Sequence, residues 1–143
     1  DTLFLEGEFN TRKLEVPLQA NGDVYHTGGT LNLSGAYSKV TIGAESLYRF
    51  TEGAVSDDTS GPNFINGGNF HKDLETPATM DAFFENKPAG RTHIKEGSLS
   101  FTDTGYWSGE LEIEEGADAK LKSSVFNFSH EGPGLEAELS TRA

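Results

Sequence analysis

The chain has 143 residues, with 23 acidic and 11 basic side chains, a formal net charge of −12 and no cysteine. That balance argues against nucleic acid as a partner, because phosphate binding rests on Lys and Arg, and the missing cysteines exclude disulfides and thiolate metal sites. No apolar run approaches the ~18 residues of a spanning helix, and the length suits one β domain over residues 1–143 that buries a core without staples.

From the N-terminus, Leu3, Phe4 and Leu5 open a hydrophobic strand that continues at Phe9. Leu14, Val16 and Leu18 then alternate with polar residues, the period expected of a half-buried strand. Pro17 has no N–H to give to a ladder, so this strand is expected at a sheet edge or with that position turned outward. Asn21-Gly22 is a strong two-residue hairpin signal and would set Leu18 opposite Tyr25. Leu31 and Leu33, Val40 and Ile42, and Leu47 to Phe50 supply three more strands separated by Gly-rich breaks. Such regular spacing predicts an all-β fold, an antiparallel β-sandwich or a partly closed barrel.

Residues 52–70 interrupt the pattern with Gly, Pro, Asn and Asp and form the longest irregular stretch, the first candidate for a binding loop. Within it Asp57 and Asp58 offer oxygen donors of the kind calcium takes, although no EF-hand or repeat motif surrounds them. One short helix is expected over about residues 77–86. Thr76 suits the cap and Pro77 the first helical position, and Met80, Phe83 and Phe84 share a face.

From 97 to 140 the chain reads as a C-terminal meander. A three-residue turn at Asp103-Thr104-Gly105 would set Phe101 opposite Trp107 and Leu99 opposite Gly109. A second turn around Gly116 would bring Glu114 to Lys120 and Glu112 to Lys122, with Ile113 against Leu121 on the apolar face. In that register Phe126 and Phe128 point outward beside Tyr106. A bulge at Ser123-Ser124, a cover on both faces of the sheet, or an exposed aromatic patch would each account for them.

Catalytic signatures are thin. His26, His71, His93 and His130 are scattered without metal-ligand spacing, and no G-x-S-x-G elbow or phosphate-binding glycine loop occurs. The start at Asp1, with no initiator Met or signal-peptide core, reads as a processed and exported chain, extracellular or at a cell surface. The expected function is a non-enzymatic structural or adhesive subunit. It would assemble through β-sheet pairing with copies of itself or with other surface proteins, with Leu3, Phe4, Leu5 and Phe9 as the assembly strand. The alternatives are a carbohydrate-binding module that takes glycans on Tyr106, Trp107, Phe126 and Phe128, and a small secreted hydrolase.

Overall fold

The computed structural model describes residues 2–6, 11–58, 61–122, 126–128 and 138–141, the last two segments by backbone alone. The described residues form nineteen strands that pass in threes around a common core. The first sheet takes β1 (Thr2–Leu5), β4 (Asp23–His26), β7 (Leu47–Phe50), β10 (Asn69–Lys72), β13 (Arg91–Ile94), β16 (Glu110–Ile113) and β19 (Glu138–Thr141). The second takes β2 (Thr11–Leu14), β5 (Thr30–Leu33), β8 (Gly53–Asp57), β11 (Ala78–Asp81), β14 (Ser98–Phe101) and β17 (Asp118–Leu121). The third takes β3 (Pro17–Ala20), β6 (Lys39–Ile42), β9 (Phe64–Asn66), β12 (Phe84–Asn86), β15 (Gly105–Trp107) and β18 (Phe126–Phe128).

Each strand inside a sheet pairs in parallel with the strand one turn before and the strand one turn after it, and each end strand with its single neighbour, so the fold is a parallel β-solenoid. The antiparallel sandwich or barrel is therefore wrong, and so are its hairpins. Phe101 is in register with Met80 and Leu121, and Trp107 with Asn86 and Phe128, so neither faces the other across a strand pair. Glu112 lies in register with His93 and Lys120 with Ser100, and the two Glu–Lys pairs of the expected meander are not cross-strand neighbours. Asn21-Gly22 turns the chain from the third sheet into the first instead of reversing it. Pro17 does lie in an edge strand, since β3 ends the third sheet.

In a parallel stack every inward residue lands on the inward residue of the next turn, and the core is a set of columns. Val24, Tyr48, Phe70, Thr92 and Leu111 form one column of the first sheet. Leu31, Val55, Met80 and Phe101 form one of the second, and Leu18, Val40, Phe64 and Phe84 one of the third. The rings meet where the columns converge. Phe84 lies 5.6 Å from Phe64, 5.4 Å from Phe70, 5.4 Å from Phe101 and 5.0 Å from Trp107, centroid to centroid. Such offset and edge-on contacts add to the area these rings bury.

No helix forms between 77 and 86. Met80 and Phe84 are fully buried, but as members of β11 and β12, paired on both sides by strands of the adjacent turns. An isolated helix of under three turns has little stability of its own. Two waiting strand edges supply a hydrogen-bond partner for each backbone group and outcompete it. The stretch 52–70 likewise contains β8, β9 and the start of β10.

Polar residues enter the columns at defined places. Asn66 and Asn86, stacked in the third sheet and fully buried, are joined by a 2.9 Å bond from Asn66 Nδ2 to Asn86 Oδ1. Asn66 Nδ2 also reaches the Arg91 carbonyl, Asn86 Nδ2 donates to the carbonyls of Gly90 and Glu110, and Thr92 Oγ1 donates to Asn86 Oδ1. This network adds side-chain donors to the carbonyls of Gly90, Arg91 and Glu110 at the corner. The corner also packs too tightly for a side chain. A Cβ on Gly109 would overlap the Gly90 carbonyl oxygen, and one on Gly53, which takes φ 103°, would overlap that of Gly29.

Lys72 occupies an inward column between Phe50 and Ile94 and is fully buried. Its Nζ donates to the carbonyls of Asp73 at 2.9 Å, Leu74 at 2.6 Å and Glu96 at 3.3 Å, and burial lowers its pKa. Leu74 holds a left-handed φ of 69° to aim its carbonyl there, a conformation that costs a side-chain-bearing residue about 1–2 kcal/mol. His26, one turn before Phe50, is buried as well. The Gly29 carbonyl can only accept, so Nε2 carries the ring proton and Nδ1 accepts from the Tyr48 hydroxyl at 2.8 Å. Burial pushes the His26 pKa down to about 4.

Candidate functional site

The outward face of the first sheet carries a second set of columns, and one of them is chemically varied. Phe4, Tyr25, Arg49, His71, His93 and Glu112 succeed one another along it, one residue per turn. At the N-terminal end Phe4 stacks on Tyr25 at 5.4 Å, and the Arg49 guanidinium lies 5.5 Å from the centre of the Tyr25 ring. Arg49 also makes a 2.9 Å ion pair with Asp73. His71 and His93 then meet edge to face at 5.7 Å. His93 Nε2 ends the series 2.8 Å from Glu114 Oε1 and 3.9 Å from Glu112 Oε2, all three side chains being half-buried.

Parallel register builds this arrangement. His93 and Glu112 share a position on adjacent strands, and neighbouring strands lie about 4.8 Å apart. Glu114 follows two residues after Glu112 and returns to the same face, as strand periodicity requires. One donor atom from each of His93, Glu112 and Glu114 falls within 4.8 Å of the other two. His71 precedes His93 on the same column, ring against ring, and lies outside that group of three. Burial is the main cause that drops its pKa to about 4, assisted by the charge of Lys95, so the ring is neutral near pH 7. Among the described residues its Nδ1 has no hydrogen-bond partner.

The sequence-derived candidates scatter. Leu3, Phe4 and Leu5 lie in β1, which pairs with β4 of the same chain, and Phe9 falls outside the described residues. Trp107 is wholly buried among Phe84 and Phe101 and cannot serve as a sugar platform. Tyr106, 39 % exposed, stands edge-on to Phe83 instead. β18 sets Phe126 opposite Gly105 and Phe128 opposite Trp107, while the side chains of both lie outside the described residues. A shallow cleft of about 480 Å³ opens near Thr30, Glu52, Thr76 and Pro77, and none of its lining residues is aromatic.

Asp57 and Asp58 do not converge. Asp58 accepts a 3.4 Å bond from the Gly35 N–H, whereas Asp57 Oδ2 accepts from the Phe83 N–H at 3.0 Å. The acidic neighbours of Asp57 are Asp103, in the connection after β14, and Asp81, in β11. Burial, with those charges, lifts its pKa from 3.8 to about 6. Its proton is therefore held more tightly in the folded chain. The stability it contributes is complete below about pH 4 and is lost as pH rises through about 6. Asp57→Asn should raise the melting temperature near pH 8 and leave it unchanged near pH 4. His26 and His71 shift in the opposite sense, so the comparison is read as variant minus wild type at each pH.

Sequence reasoning passed over the His93 cluster. His71 and His93 carry no motif between them, and only the solenoid register brings them together. Comparison with family models, with curated proteins and with solved structures returns no match.

Proposed function

We propose that the chain is a structural segment of an extracellular or cell-surface assembly, and that it associates end to end with further copies through the edge of its first sheet. The observation that carries this reading is β1. One edge of β1 pairs with β4, and among the described residues its other edge has no partner. Leu3 and Phe4 on that strand are 40 % and 56 % exposed. Unprotected strand edges recruit further strands, and this one lacks the lysine or proline that commonly blocks such pairing.

A second copy fits the edge by continuity. At the far end of the same sheet, β19 places Leu139 in register with Leu111, in the column that Leu3 opens. Stacking β1 of one copy on β19 of another would extend the backbone ladder of the first sheet. Such a contact is head to tail, the kind that propagates into filaments when it does not close. Acidic residues dispersed over the outer surface, with a net charge of −12, oppose lateral sticking and leave the edge as the favoured contact.

Sedimentation velocity over a concentration series tests the reading. The wild-type chain should show association that grows with concentration, and Phe4→Lys should suppress it while the far-ultraviolet spectrum stays unchanged. A wild-type chain that sediments as a monomer throughout, or a Phe4→Lys variant that associates equally well, would overturn it.

A further inference from the structure

We infer that His93, Glu112 and Glu114 form a binding site for a divalent transition metal, with the fourth position left to water, zinc being the ion whose chemistry fits the donor set. The inference stands apart from end-to-end assembly, because the cluster lies several turns from β1. Zinc prefers imidazole nitrogen and carboxylate oxygen at about 2.0–2.2 Å, in a tetrahedron whose ligand atoms are about 3.4 Å apart. The distances from His93 Nε2 to the two carboxylates, 2.8 and 3.9 Å, bracket that spacing. Closing around an ion therefore needs only small side-chain movements, while the strands that carry the ligands are paired on both sides.

The donor set also chooses among cations. Calcium takes six to eight oxygens, and magnesium demands an octahedron of oxygen and water, whereas a site led by imidazole suits zinc and its neighbours. The half-buried position removes the ligands from competing bulk water without sealing the site against entry. His71 is adjacent on the same column, in edge contact with His93, and its Nδ1 has no hydrogen-bond partner among the described residues. Arg49 and Lys95 flank His71, so the ion's closer partners are His93 and the two carboxylates, which set the affinity.

The test is a zinc chloride titration of the full chain against a chromophoric chelator, repeated with cobalt to read coordination geometry from its visible absorption. One zinc per chain is expected, with a tetrahedral cobalt spectrum and a rise in melting temperature that a chelator reverses. His93→Gln and Glu112→Gln should each abolish stoichiometric binding, whereas His71→Gln should retain one site. All three side chains face outward, and melting without metal will confirm that each variant is folded. Zinc binding that is absent from the wild-type chain, or equal in wild type and His93→Gln, would overturn the inference.

Discussion

Replacing Phe84 with alanine should lower the free energy of unfolding by about 3–5 kcal/mol, the range for truncating a fully buried phenylalanine. The upper half of that range is expected, because Phe84 touches four other rings: Phe64, Phe70, Phe101 and Trp107. Those rings come from all three sheets, and each is fixed by a backbone paired on both sides, so they cannot collapse into the space left behind. Urea unfolding followed by Trp107 fluorescence measures the effect. Phe84→Leu, which keeps most of the volume, should recover a large part of the loss. An alanine variant within about 1 kcal/mol of wild type would mean that this core repacks freely, contrary to the usual behaviour of close-packed interiors.

The second large effect is expected at Lys72. Lys72→Met keeps the length of the side chain and its apolar contacts with the column but removes the ammonium bonded to Asp73, Leu74 and Glu96. Hydrogen bonds to a charged group contribute roughly 1.5–3 kcal/mol, so methionine should destabilise by about that amount. A purely apolar role would make the same change neutral or favourable, because it would relieve the burial of a charge. Chemical denaturation of Lys72→Met thus decides between the two roles. The loop from Asp73 to Glu75 should lose amide-exchange protection in the variant, since the ammonium is what holds the left-handed Leu74 in place.

Much of the local structure was legible in the chain. Leu99, Phe101, Trp107, Leu111 and Ile113 do face inward, as their alternation with polar neighbours requires. Their partners were illegible for a physical reason. A period of two is the same in parallel and antiparallel strands, and glycine-containing turns serve a solenoid corner as well as a hairpin. The matched charges at Glu112, Glu114, Lys120 and Lys122 supported a false register, because outward positions carry charge in either topology. Thr76 and Pro77 misled in the same way, having the chemistry of a helix start while sitting at a corner before β11.

Repeat length would have revealed the solenoid, but the turns are ragged. Position 70 pairs with 92, yet 91 pairs with 110 and 110 with 138. Between 70 and 110 the connections absorb these differences, since only the strands must stay in register. The cluster of His93, Glu112 and Glu114 was hidden for the same reason: its spacing along the chain depends on one corner, while its spacing in space depends on strand register alone.

The direction of the strand pairing has a mechanical consequence. Ladder hydrogen bonds run between turns, along the axis of the stack, so tension applied from end to end loads them one rung at a time instead of shearing them together. The terminal turn would peel first and release a loop of chain before the next is strained. Lys72, the Asn66–Asn86 pair and the rings around Phe84 lie in the middle turns, so peeling from either end reaches them last.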